Sequence, residues 1–302
     1  MATILEVSSI GLLCWPLLAV AENTGKITPE WLQALILGIV QGITEFLPIS
    51  STAHLLIVTK IFAWKELGYK DFIDAIQFGS VIAILLYFWS LISSILKGGI
   101  AALKDRDWER EEWKIIVGIA VGTMPALIFG FLLKDILPES ALIIAIMSVL
   151  MALLLGLAEK IGTRKRGLDS LQIRDGILVG LGQTLALIPG VSRSGSTLTT
   201  ALFLGLERDT AAKFSFLLGF PTLTIATLYK SLKIFQLFQE QQLPGNIVLL
   251  LIVGMISTFI FSYLSIAFLI RYLQTKNTFV FVWYRLAFGS AILLAITAGW
   301  QG

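Results

Sequence analysis

Residues 38–56 read GIVQGITEFLPISSTAHLL, and this stretch decides the fold. An apolar run enters from Trp31 and stops at Pro48. A polar run follows, Ile49, Ser50, Ser51, Thr52, Ala53 and His54, which ends on the only histidine of the chain. Neither arm reaches the roughly 20 apolar residues that a helical crossing needs. The stretch therefore predicts a re-entrant hairpin: half-helix, proline-broken turn, half-helix. Irregular backbone at membrane depth is tolerated only where it lines a cavity or is buried in protein. Gln41 lies one helical turn before Glu45 and shares its face, and His54 shares a face with Ser50 and Ser51 on the second arm.

A second stretch has the same form. Ile177–Ile188 is apolar, Pro189-Gly190 interrupts it, and Val191, Ser192, Arg193, Ser194, Gly195, Ser196 and Thr197 follow. At a constant offset of 142 residues, Gly38 falls on Gly180, Gln41 on Gln183 and Ser50 on Ser192. Three apolar spans follow each hairpin, about 71–95, 113–134 and 140–159, then about 211–231, 246–271 and 278–299. The expected fold class is all-α: a polytopic membrane protein of two repeats, about 28–160 and 173–300, in one domain spanning residues 28–300. A hairpin returns to its own side, so each repeat crosses an odd number of times and the second is expected to be inverted. The two hairpins would then meet from opposite faces near the midplane. Residues 1–25 form an apolar extension, either a signal-like segment ending at Ala19-Val20-Ala21 or an extra helix, with no Lys or Arg before Ile4–Ala21.

Composition agrees. Residues are 56% hydrophobic and only 14% charged, which excludes an ordinary soluble domain. The net charge of +3 forms no basic stripe with interleaved aromatics, so no nucleic-acid partner is expected. A single cysteine, Cys14, rules out an internal disulfide and a thiolate-rich metal site. The longest loop, Lys97–Lys114, mixes both signs and reads as solvated surface. Loops expected on one side hold Lys97, Lys104, Arg106, Arg110, Lys160, Arg164, Lys165, Arg166, Arg174, Arg208, Arg271 and Lys276. The other side holds the smaller set Lys26, Lys60, Lys65, Lys70, Lys134, Lys230 and Lys233. The positive-inside rule makes the first set cytoplasmic, so the first hairpin enters from the outer face.

Ionisable groups inside a membrane segment mark function by default. Glu45, His54 and Arg193 are such groups, and hydroxyls surround them: Ser50, Ser51, Thr52, Ser192, Ser194 and Thr197. Both half-helices after the prolines begin with free N–H groups and a positive dipole end, which suits an anion. Arg193 could bind phosphate oxygens bidentately. Each residue has a structural alternative. The hydroxyls could cap helices or let helices approach closely, His54 and Glu45 could be packing partners, and Arg193 could snorkel. Their joint occurrence at two broken turns favours a site that handles phosphate. A phosphatase and a lipid-phosphate carrier remain open, because this architecture also serves transporters and a fold alone does not give function.

The runs QGITEFLPISSTAHLL and PGVSRSGST resemble the two signature motifs of the bacitracin-resistance type undecaprenyl-diphosphatases, and the resemblance extends over about residues 28–300. Gln41 and Glu45 match the family's Glu/Gln, three residues, Glu pattern. Ser51 and His54 match its serine and histidine, and Ser192, Arg193, Ser194 and Thr197 match its second motif. Ala53 stands where the family often has glycine. The resemblance implies hydrolysis of undecaprenyl diphosphate to undecaprenyl phosphate and inorganic phosphate. That reaction recycles the lipid carrier for cell-wall synthesis and confers bacitracin resistance. It implies a divalent cation, Mg²⁺ or Ca²⁺, which Glu45 and Gln41 would anchor. Glu45, Ser51, His54 and Arg193 would be catalytic, and Ser50, Thr52, Ser192, Ser194 and Thr197 would bind substrate. Ser51 is the expected nucleophile with His54 activating it; the rival assignments make His54 the nucleophile or the base for a water. The cytoplasmic membrane is the implied location, with the active site on its outer side. The sequence leaves a homo-oligomer open.

Overall fold

The computed structural model describes residues 28–64, 70–133, 140–240 and 245–300; the apolar extension expected over residues 1–25 lies outside them. Regular structure among the described residues is helical: α1 Glu30–Phe46, α2 Ser51–Ile61, α3 Lys70–Ile76, α4 Phe78–Tyr87, α5 Trp89–Asp105, α6 Glu111–Leu133, α7 Ala141–Ile161, α8 Ile173–Thr184, α9 Arg193–Phe203, α10 Arg208–Gln239, α11 Ile247–Leu273 and α12 Phe279–Thr297. Five of these, α6, α7, α10, α11 and α12, are long and apolar enough to cross a membrane. The chain is a multi-pass membrane protein. Only 28% of the apolar window of α6 and of α12 is buried, against 56% for α10, so α10 is the most enclosed of the five spans. The outer faces present Leu153, Leu157, Ile256, Leu264, Phe268 and Leu294 to the surroundings.

Both hairpins break where the prolines stand. Leu47 and Ile188, the residues before Pro48 and Pro189, are extended (ψ 140° and 124°). The proline ring clashes with a helical residue ahead of it, which forces this geometry. The chain then restarts as α2 or α9 through a serine with positive φ, Ser50 (77°) and Ser192 (72°). A non-glycine residue seldom adopts that conformation, and it persists only where its surroundings hold it.

The packing is reciprocal. α1, ahead of the first broken turn, lies on α11, and α8, ahead of the second, lies on α6; α7 pairs with α12. Small residues make both hairpin contacts. Gly38 and Gly42 face Gly254, Ser257 and Thr258, while Gly176 and Gly180 meet Gly118 and Gly122 backbone to backbone. Lipid supplies no hydrophobic drive between helices, so close backbone approach and the dispersion it brings carry the association.

One expected element differs. Sequence periodicity predicts one span over about 71–95, but the chain is broken after Ile76 and bends by 68° at Phe88, between α4 and α5. α5 leaves the bundle direction to lay Gly98 and Gly99 against Glu112 and Ile116 of α6, a contact that a straight span would forgo.

A Cβ at position 180 would overlap the Gly122 backbone, whereas one at Gly245 meets nothing within 4 Å. Gly180→Leu is expected to cost about 1–3 kcal/mol or more through overpacking. The thermal midpoint of the detergent-solubilised protein should fall by several degrees, with Gly245→Leu as the unaffected control. Equal midpoints for Gly180→Leu and the parent protein would disprove the close contact.

Candidate active site

The two broken turns meet. Ser194, in the first turn of α9, donates to the carbonyl of Leu47 in the first hairpin (3.1 Å). Arg285, from the middle of α12 and 1% exposed, donates to Pro48 O (3.1 Å), Val191 O (3.0 Å), Gly190 O (2.8 Å) and Ser148 O (3.3 Å). One guanidinium thus satisfies carbonyls freed by both proline breaks and fixes one turn against the other.

Glu45, at the end of α1 and 6% exposed, lies where the turns touch. Its Oε1 accepts from Arg193 Nη2 (3.0 Å), and its Oε2 accepts from Gln41 Nε2 (3.0 Å) and from the Ser51 hydroxyl (2.8 Å). The remaining Arg193 donors, Nε and Nη1, are buried with no partner among the described residues. A buried guanidinium with unmade bonds is costly and is poised for an acceptor. Gly219 of α10 makes its room, since a Cβ there would collide with the guanidinium.

These groups open on a cavity of about 210 Å³ lined by Glu45, Ser50, Ser51, Thr52, Ser192 and Arg193 from the hairpins. Gln77, and Thr222, Ala226 and Lys230 from one stripe of α10, are also part of its wall. Lys230, expected at the end of the span over about 211–231, lies inside α10, which runs on to Gln239, and pairs with Asp74 (2.5 Å).

The other expected site residues stand back from the cavity. Gln41 is behind Glu45. Thr197 Oγ1 bonds to the Arg193 carbonyl (2.8 Å) and to the Ser215 hydroxyl, and Ser192 also caps α9 by accepting from the Gly195 N–H (3.2 Å). His54 does not meet Ser51. Its Nδ1 bonds to the Ser50 carbonyl (2.7 Å), its Nε2 bonds to the Tyr284 hydroxyl (2.6 Å), and its ring stacks on Phe288. A carbonyl only accepts, so Nδ1 carries the proton and Nε2 accepts from Tyr284. The expected Ser51–His54 partnership is thus replaced by Ser51–Glu45. His54 instead holds the carbonyl of the positive-φ Ser50. The i,i+3 spacing did put both side chains on one turn of helix, but the turn geometry at Ser50 draws the imidazole to its own backbone.

Sequence reasoning missed Arg285, Lys230 and the Gln183–Thr222 hydrogen bond (3.0 Å). Arg285 carried the same signal as Glu45, an ionisable group inside an apolar span.

Among the described residues no group of three or more His, Cys, Asp or Glu forms a metal cage. The donor chemistry does suit Mg²⁺, which keeps several waters and is commonly bound by one or two carboxylates plus substrate phosphates. Charge balance points the same way. Of the cations that line the cavity, Arg193 is offset by Glu45 and Lys230 by Asp74, and Arg285 behind the turns has its donors committed to carbonyls, so little positive charge is left over for a multiply charged anion.

Comparison with known proteins bears on this arrangement. The family model described as bacitracin resistance protein BacA matches residues 34–291. The undecaprenyl-diphosphatase of Thermosynechococcus vestitus is 54% identical over 271 residues, 89% of this chain and 97% of that protein. Those of Trichormus variabilis and Synechocystis sp. are 49% and 48% identical, over 89% and 88% of this chain and 84% and 82% of their own lengths. With the match covering both broken turns and the spans that hold them, the chain belongs to the bacitracin resistance protein BacA family.

Proposed function

We propose that the chain hydrolyses undecaprenyl diphosphate to undecaprenyl phosphate and inorganic phosphate, the activity that the relatives' name, undecaprenyl-diphosphatase, describes. The observation that carries this is the Ser51 hydroxyl donating to Glu45, which is paired with an Arg193 that keeps two buried N–H donors unmade. A carrier needs the cation but has no use for a hydroxyl held against a carboxylate.

The terminal phosphate occupies the cavity against Arg193, whose guanidinium stabilises charge on the equatorial oxygens. Glu45 takes the proton from Ser51 as Oγ attacks the terminal phosphorus. The bond from that phosphorus to the bridging oxygen breaks, and the prenyl phosphate leaves with the proton passed on by Glu45. Water, deprotonated by Glu45, then releases inorganic phosphate from Ser51 and restores the hydroxyl. His54 acts through the Ser50 carbonyl to keep Ser51 in place. A divalent cation held by Glu45, with Gln41 orienting that carboxylate from behind, would neutralise charge on the diphosphate when bound. The prenyl chain lies in lipid, so shorter prenyl diphosphates serve as substrates too.

Phosphate release from a polyprenyl diphosphate by the purified protein in detergent is the direct test. No release, together with transfer of lipid phosphate across vesicle membranes, would make the protein a carrier. Ser51→Ala and Glu45→Gln should each lower kcat by at least about 100-fold, the usual scale for losing a nucleophile or its base. Rapid acid quench with terminally ³²P-labelled farnesyl diphosphate should trap an acid-stable label on Ser51. An acid-labile label would move the nucleophile to His54, and no label would move it to water.

Excess chelator should reduce turnover to background, and Mg²⁺ or Ca²⁺ should restore it, because both cations that line the cavity are already paired with carboxylates. Full turnover in chelator removes the cation from the mechanism.

The site faces the outer side of the cytoplasmic membrane in this reading. Arg164 and Arg208 gather on Glu159 at one end of the molecule, beside Arg166 with Asp175. Lys230, at the cavity, stands about 30 Å along α10 from Arg208. The positive-inside rule makes the arginine-rich end cytoplasmic, so inverted repeats would present the cavity outward. In a Cys14→Ser background, an impermeant thiol reagent on intact cells should label Lys60→Cys and spare Lys165→Cys. The reverse pattern would turn the cavity toward the cytoplasm.

A further inference from the structure

The wall of the cavity holds a cation that the hydrolytic machinery above does not use, and at 34% exposed against 13% for Arg193 it marks the more open end. Thr222, Ala226 and Lys230 recur every fourth residue and form one stripe of α10 along the cavity wall. Arg193 reaches α10 at Gly219, just below that stripe, and Lys230 sits at its upper end. The two cations are therefore stacked along one wall, with Lys230 about 12 Å of helix beyond Thr222. Lys230 is about one-third exposed and is tied to Asp74, which is 13% exposed. An exposed lysine pair on a surface contributes little. Here, however, the ammonium lines a cavity whose far end carries two unmade guanidinium donors.

We propose that Lys230 is the binding residue for the second, prenyl-linked phosphate and stabilises it as the leaving group, exchanging Asp74 for that phosphate when substrate enters. The inference rests on the diphosphatase reading and adds to it the basis for preferring a diphosphate over a monophosphate. The terminal phosphate lies deep, against Arg193 and Ser51. The chain that carries the lipid must exit toward the bilayer, which leaves the inner phosphate at the mouth. When the bridging bond breaks, negative charge grows on the oxygen of that inner phosphate, and an ammonium beside it stabilises the transition state more than the ground state. Asp74 keeps Lys230 aimed across the mouth in the absence of substrate. Lysine is suited to the exchange, being a mobile point charge on a flexible stem rather than a planar fork.

Two measurements on the full-length protein in detergent test this, one of turnover and one independent of turnover. With farnesyl diphosphate, Lys230→Met should lower kcat/KM by about 10- to 100-fold, the scale of a charge-assisted hydrogen bond to phosphate, with most of the loss in kcat. Lys230→Arg should recover the greater part. Asp74→Asn, which frees the lysine, should lower KM. In calorimetry, Lys230→Met should weaken methylenediphosphonate by about tenfold or more and leave the affinity for inorganic phosphate unchanged, because phosphate alone needs only the Arg193 end. Unchanged kinetics in Lys230→Met would overturn the proposal, as would a loss in Asp74→Asn equal to that in Lys230→Met, which would make the pair structural. A wild-type protein that releases no phosphate but shows the selective loss of diphosphonate affinity in Lys230→Met would remove the hydrolase reading and keep the second phosphate site.

Discussion

Arg285 is the constraint on which the site depends. Each proline break leaves carbonyl oxygens without helical partners at a depth where no bulk water can take them, and an unmade bond there costs several kcal/mol. Arg285 gives its donors to Pro48, Gly190, Val191 and Ser148 in a pocket of its own. It is nearly inaccessible to solvent and bears no hydrogen bond to a carboxylate, so its charge is dispersed over carbonyl dipoles instead. Because it bonds both turns at once, it fixes their separation, and with that the distance from Glu45 to Arg193. Two serines beside these carbonyls are held at positive φ, Ser50 with His54 on its carbonyl and Ser192 with its hydroxyl on the Gly195 N–H.

The second consequence is electrostatic. A buried carboxylate and guanidinium lose much solvation, and their attraction repays it only with good geometry and further hydrogen bonds. Glu45 has both, through Gln41 and Ser51. Arg193 does not, since two of its donors are unmade. The asymmetry is what one expects of a pair arranged for a third party. The carboxylate is fully satisfied at rest, so it holds Ser51 in place, while the guanidinium keeps a deficit that an anion with several oxygens can fill.

Much of this was legible in the sequence, for physical reasons that differ from residue to residue. The hairpins could be read because proline is an obligatory break and because the arms are too short to span. Glu45, Ser51 and Arg193 could be read because polar groups at membrane depth are expensive. Gln41 beside Glu45 followed from helical spacing alone. What could not be read depends on contacts between distant segments. Arg285 bonds Pro48 across 237 residues, His54 bonds Tyr284 across 230, and Lys230 meets Asp74 from a distant helix. Spacing on one helix cannot say which of two polar neighbours a side chain will choose. His54 was therefore expected at Ser51, yet lies against Ser50 and Tyr284. The bend at Phe88 was equally hidden, because hydrophobicity continues through it and only the contact of Gly98 and Gly99 with α6 gives a reason to turn.

The offset of 142 residues lines up the two proline-broken turns residue by residue, and their differences bear on the site. It sets Ser50 on Ser192, and both have positive φ. It sets Ser51 on Arg193, so the hydroxyl and the guanidinium occupy the same place at the start of equivalent half-helices. It sets Gln41 on Gln183 but Glu45 on Leu187, so only one hairpin carries the carboxylate. Two matched helix starts facing one cavity would give a symmetric anion cradle with a positive dipole end on each side. Replacing one first residue with a nucleophile-type hydroxyl and the other with a cation, and placing a single carboxylate between them, makes that cradle directional. An anion is held from the second hairpin and approached from the first.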